Sequence, residues 1–169
     1  MGLFDIFKNK DQAVTTVVTF PVTLGAPAKG TVVPMAQISD EVFSSGVLGI
    51  CCGIEPEEGK VFAPMDGKIC QITDTLHAIA LESDGIEVLI HVGIDTVNMN
   101  GDGFSNVVQL EQTVKKGELL LTMDIDKIHT AGYAATVIMA VVNSHDFASV
   151  EEIASGKVRL ENDILRIEK

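Results

Sequence analysis

Two of the four histidines, His77 and His91, stand fourteen positions apart, each in an apolar run of β character, with Ser83-Asp84-Gly85 between them. An imidazole is the side chain whose ordinary pKa lies near neutrality, so it serves as nucleophile, proton carrier or metal ligand. Two facing imidazoles can therefore act in three ways. One attacks while the other donates a hydrogen bond or a proton; both bind a metal; or both are polar members of a pleated face. Spacing alone leaves all three open. After His91, Gly93-Ile94-Asp95-Thr96 supplies a small residue, a carboxylate and a hydroxyl, and Thr75 lies two positions before His77.

The elements that must position these groups are short strands. Ser83-Asp84-Gly85 predicts a three-residue hairpin loop with Gly85 in the left-handed, bulge-forming place. Glu82 then faces Ile86, and counting back in steps of two sets His77 opposite His91, with Cβ atoms roughly 4.5–5.5 Å apart. A shift of one residue would send the rings to opposite faces. Further strands are expected at about 68–72, 78–82, 86–93 and 136–143, with closing strands at 157–160 and 164–167. Helical turns are expected at 40–45 and 150–155, and a short helix with an Asp cap at 126–132. Ala26-Pro27-Ala28-Lys29-Gly30 resembles Ala63-Pro64-Met65-Asp66-Gly67, each with Pro in a turn and Gly before a strand. Many short strands punctuated by Gly and Pro predict a mainly all-β domain, an antiparallel sandwich or barrel with a few short helical turns.

The bulk properties narrow the partners. A length of 169 residues suits one domain, residues 18–169, preceded by a flexible segment 1–17 with an amphipathic start, MGLFDIFKNKDQ, that contacts a membrane at most weakly through residues 1–12. The formal charge of −12 argues against nucleic acid and favours a basic protein partner. No apolar run is long enough to span a membrane, and three cysteines, two of them adjacent, form no disulfide framework. These features predict a cytoplasmic protein.

The run TLHAIALESDGIEVLIHVGIDTVNMNGDGF resembles the signature of the glucose-family IIA domains of the bacterial phosphoenolpyruvate-dependent sugar phosphotransferase system. The likeness extends to GKVFAPMDGKI before it, VKKGELLLTMDIDKI after it, and the MGLFD start of free-standing members. It implies a small antiparallel β-sandwich that relays a phosphoryl group from the carrier protein HPr to the IIB domain of a sugar permease. By this likeness His91 is the phosphorylated residue, His77 assists, and Thr75 orients His77. Asp40, Asp95 and Asp146 fall on carboxylate positions that ring the histidines and meet basic side chains of HPr. Val42, Phe43 and Val97 fall on apolar docking positions, although the same residue types also suit core packing. No cofactor is required, while zinc held by His77 and His91 at a partner interface is compatible with the pattern.

The chain departs from the family pattern at three places. Gly49-Ile50-Cys51-Cys52-Gly53 replaces an acidic turn by an apolar one, the loop between the histidines is one residue shorter, and Ile138-Met139 stands where relatives commonly have Thr-Pro. Two alternatives accompany the phosphocarrier reading. One is a regulatory module that docks other enzymes or transporters when dephosphorylated. The other is a zinc hydrolase with His77, His91 and Asp95 as ligands, which lacks a tight motif such as HExxH. His129 and His145 match no catalytic position.

Overall fold

The computed structural model describes residues 18–169; the expectations for 1–17 lie outside them. The strands are β1 (Val22–Gly25), β2 (Gly30–Val33), β3 (Ile50–Pro56), β4 (Lys60–Phe62), β5 (Gly67–Ile72), β6 (Ala78–Ser83) and β7 (Ile86–Val92). There follow β8 (Phe104–Asn106), β9 (Thr113–Val114), β10 (Leu119–Met123), β11 (Val137–Val141), β12 (Ser149–Glu152), β13 (Lys157–Val158) and β14 (Asp163–Glu168). Two short helices, α1 (Glu41–Ser44) and α2 (Ile125–Thr130), and 3-10 turns at Met35–Gln37, Thr96–Met99 and Ser144–Asp146 interrupt them. The large sheet runs β13-β2-β3-β11-β7-β6-β5-β9, and two smaller sheets run β1-β14-β12 and β4-β10-β8. The pairings are antiparallel, giving the mainly β sandwich that the short strands predicted. Among the described residues no helix is long and apolar enough to cross a membrane.

Alternation along the central strands divides two apolar clusters. Ile79 and Leu81 of β6, Val88, Ile90 and Val92 of β7, and Val137, Met139 and Val141 of β11 enter the main core. Fully buried side chains of this size each contribute roughly 1.5–3 kcal/mol. The opposite face carries smaller groups, Cys51, Ala78, Ala80, Leu89, Ile138 and Ala140, covered by Ile38 and Phe43. Burial on both faces explains the unbroken apolar run of β11. His91, two residues after Leu89, belongs to this second face.

Several expectations change. The β6–β7 loop is the two-residue turn Asp84-Gly85, with φ of 50° and 84°, and Ser83 opposes Ile86. Both central residues are left-handed, as the primed hairpin turns that match strand twist require. The register therefore moves by one, and His91 opposes Ala78 rather than His77. The segment expected to form a helical turn at 150–155 instead supplies strand β12, because β14, beyond the intervening strand β13, provides its ladder. Helix α2 begins one residue earlier than expected, capped by Asp124, whose Oδ1 accepts from the Lys127 amide at 3.0 Å. In the repeated Pro/Gly phrase neither glycine has a positive φ. A Cβ at Gly30 would lie 1.9 Å from the Glu55 carbonyl oxygen, and one at Gly67 2.9 Å from that of Glu82, so both glycines admit close strand crossings.

Candidate active site

His91 is the penultimate residue of β7, flanked by Ala78 of β6 and Ile138 of β11. The methyl group of Ala78 leaves space above the sheet for a ring. Phe43 fills one side of that space, its ring centroid 5.0 Å from that of His91. Nδ1 of His91 is buried and has no hydrogen-bond partner, so the accessible part of the half-buried ring lies towards Nε2. Burial, and secondly repulsion from His77, lower the His91 pKa to about 4; the Gly93 backbone and the Asp40 carboxylate act weakly the other way. Although the Gly93 backbone favours the protonated ring, it falls short of hydrogen-bond geometry with Nδ1. The imidazole is thus neutral near pH 7, with an available lone pair.

His77 reaches the same place by a route the hairpin register did not provide. It sits one residue before β6, with its carbonyl accepting from the Val92 amide at 2.7 Å. Leu76 has φ of 60°, which takes the chain out of the extended path, and the Leu76 amide donates to the Thr73 carbonyl at 2.9 Å to close a turn. The Ala78 amide donates to Thr73 Oγ1 at 3.1 Å, fixing the base of this turn. His77 consequently escapes strict pleat alternation. Its ring centroid lies 4.8 Å from that of His91 at an interplanar angle of 84°. Thr75 Oγ1 is 2.7 Å from His77 Nδ1, which leaves Nε2 as the free nitrogen. His77 is 7% exposed, and burial lowers its pKa too.

Beyond His91 the chain turns sharply through Gly93, φ 83°, and Asp95, φ 61°. A Cβ at Gly93 would stand 2.2 Å from Thr96 Cγ2 and 2.8 Å from the Ala134 carbonyl oxygen. Thr96 is fully buried and donates its hydroxyl to the Val92 carbonyl, tying the turn to the strand that carries His91. Asp95 and Val97 are exposed. Asp40 caps α1 through its Oδ1, which accepts from the Val42 amide at 2.9 Å. Val42 is exposed, whereas Phe43 is only 4% exposed, so it packs against His91 and is not an open docking surface. Asp146 does not ring the histidines. Its Oδ2 accepts from Asn143 Nδ2, which also donates to the Gly85 carbonyl, at the start of β7 and roughly 17 Å along the strand from His91. His129 and His145 are exposed. Leu76 carries no signal in the sequence, since a left-handed leucine is uncommon, and Thr73 carries none either.

Among the described residues no group of three His, Cys, Asp or Glu side chains could hold a metal ion, so Asp95 does not complete a zinc site with the two rings. What remains is a neutral nucleophilic imidazole beside a second imidazole whose orientation is set by a hydroxyl. Such a pair suits transfer of a charged group to nitrogen, with the second ring able to hydrogen-bond the arriving oxygens.

The fold and paired histidines define a mainly antiparallel β domain that presents two imidazoles together at one face of its large sheet. The chain belongs to the family described as phosphoenolpyruvate-dependent sugar phosphotransferase system, EIIA 1, whose sequence profile matches residues 22–147. It is 44% identical over 137 residues to the PTS system beta-glucoside-specific EIIBCA component of Dickeya chrysanthemi, covering 80% of this chain and 22% of that protein. It is 40% identical over 134 residues to the PTS system glucose-specific EIICBA component of Staphylococcus saprophyticus, covering 78% of this chain and 20% of that protein. The chain thus spans about a fifth of the length of these relatives. The solved glucose permease IIA from Mycoplasma capricolum superposes with a TM-score of 0.79 at 27% identity, covering 90% of this chain and 99% of the other.

Proposed function

We propose that this chain is a cytoplasmic phosphohistidine carrier, which accepts a phosphoryl group from phospho-HPr on His91 and passes it to the IIB domain of a sugar permease. The observation that carries the reading is the approach of the His77 and His91 rings to 4.8 Å, with His91 held neutral, in a member of this family. In the forward step the Nε2 lone pair attacks phosphorus; the Nε2–P bond forms as the bond to the donor breaks, and the donor keeps that electron pair. Positioning and charge stabilisation dominate such transfers. His77 Nε2–H can donate to a phosphoryl oxygen, and Thr75 accepting from Nδ1–H would require a doubly protonated ring, whereas Thr75 donating to Nδ1 fixes the tautomer with its proton on Nε2. The hydroxyl donor therefore fits a neutral assisting imidazole.

Asp40, Val42, Asp95 and Val97 are the rim that partners meet. No cofactor takes part in the transfer. Zinc captured by His77 and His91 would draw its remaining ligands from a partner, because the described residues supply no third.

The test is phosphorylation by phosphoenolpyruvate with enzyme I and HPr, read by intact mass. One acid-labile phosphoryl group on the wild type, absent from His91→Ala, is the expected result. No group on the wild type, with partners shown to be active, overturns the reading.

A further inference from the structure

The deliberate contrast in this molecule is between carboxylates with a cationic partner and those without one. Lys29 and Lys157 lie 4.0 and 3.8 Å from Glu57, Lys115 3.6 Å from Asp66, Lys116 2.7 Å from Asp163, and Lys127 2.7 Å from Asp102. Glu55, two residues before Glu57, has no lysine or arginine partner among the described residues. It is exposed, yet its position is fixed: Thr136, only 7% exposed, donates its hydroxyl to Glu55 Oε2 at 3.0 Å.

Register places this carboxylate on the side of the sheet that carries His91. Ile138 opposes His91 on one side and Gly53 on the other, so the three residues share a face. Two positions along, Glu55 and Thr136 continue that face. The Cα atoms of Glu55 and His91 are separated by two strand spacings and two residues, roughly 12 Å. Between them Gly53 carries no side chain, and Ile138 of the intervening strand is fully buried on this face. A protein bringing a phosphoryl group to His91 would cover an area wider than this, as a standard-size interface contains about 20–30 residues a side.

We infer that Glu55, held by Thr136, is a specificity-determining residue of the phosphoryl-transfer reaction: it selects a donor protein that presents a basic side chain to this edge of the His91 face. The inference rests on the phosphocarrier reading above and adds a residue outside its histidine pair. An unpaired carboxylate held in one place steers a complementary cation and lowers KM without touching phosphorus. Thr136 restricts the swing of the Glu55 side chain, so less freedom is lost when a partner engages it.

The experiment is initial-rate phosphoryl transfer from phospho-HPr to the full chain, at low salt and at about 0.5 M salt, where the screening length falls to a few ångström. The variants are Glu55→Gln, Glu55→Lys, Thr136→Val and Thr136→Ser, with Glu161→Gln as an exposed control in the turn before β14. At low salt, KM should rise about threefold for Glu55→Gln and about tenfold for Glu55→Lys, with kcat unchanged, and the differences should vanish at high salt. Thr136→Val should raise KM by a smaller factor that Thr136→Ser restores. If the wild type is phosphorylated but Glu55→Lys matches Glu161→Gln in KM at low salt, or lowers kcat at constant KM, this inference alone is overturned. No phosphoryl group on the wild type overturns the parent reading and this one with it.

Discussion

The rings of Phe43 and His91 stand 5.0 Å apart between centroids, tilted by 56°, and Phe43 itself is 4% exposed. An apolar wall this close excludes water from one side of the imidazole and disfavours its charged form. His91 should therefore titrate at about 4 by NMR. Phe43→Leu, which keeps an apolar group but shortens it, should raise that midpoint towards the ordinary 6.5 as water enters. A wild-type midpoint already near 6.5 would refute this account of the wall.

The same burial makes stability depend on pH. The folded His91 pKa is depressed below its unfolded value, so between about 6.5 and about 4 the unfolded chain binds more protons than the folded one. This contribution is fully present above pH 6.5 and is lost as pH falls towards 4. With each pKa unit worth about 1.4 kcal/mol, it amounts to something on the order of 3 kcal/mol, and His77 adds in the same direction. Urea unfolding of the wild type and His91→Gln across this window should show the steeper loss in the wild type. Parallel curves would remove His91 as the cause.

Gly93 is the point at which the site and the fold make the same demand. Its φ of 83° and the 2.2 Å approach of a Cβ to Thr96 leave Gly93→Ala no relaxed conformation. The substitution should cost at least about 2 kcal/mol, lowering the melting temperature by roughly 4–8 °C for a domain of this size. His91, two residues earlier, should then accept a phosphoryl group more slowly at the same partner concentrations. A fully stable, fully active Gly93→Ala would show that the turn relaxes without disturbing the strand.

How far these features can be read in the sequence depends on their range. The strands around both histidines, the acidic cap of α1 and the turn at Asp84-Gly85 have local causes in β-branched runs, side-chain oxygens and left-handed glycine. The hairpin register was one residue off because Ser83 remains in the ladder, and nothing in Ser83 itself forbids the three-residue loop. A three-residue loop would bring His77 to His91 by register; the two rings meet instead through the Leu76 turn. Phe43 of α1 and Glu55 of β3 come to the histidine face from elements distant in sequence, so their places depend on tertiary arrangement, which no local pattern contains. Strand β12 likewise awaits β14, whose pairing overrides the helical reading of 150–155.

Thr75 and His77 provide the sharpest separation of accepting from passing on a phosphoryl group. Thr75 Oγ1 at 2.7 Å from His77 Nδ1 fixes the ring and leaves Nε2 free. In the phosphorylation assay, His77→Ala should still take one phosphoryl group, because the Nε2 nucleophile of His91 is intact. Its onward transfer to a IIB domain should slow by about a hundredfold or more, the usual worth of a positioned proton or hydrogen-bond donor. Thr75→Val removes the hydroxyl while keeping the side-chain shape, so it should slow onward transfer by a smaller factor, about tenfold, and shift the His77 ring-nitrogen resonances towards a mixture of tautomers. Thr75→Ser should restore both rate and resonances. If Thr75→Val left the resonances unchanged while slowing transfer, the hydroxyl would act on something other than the His77 ring; if His77→Ala passed its phosphoryl group on at the wild-type rate, the second imidazole would have no part in the relay.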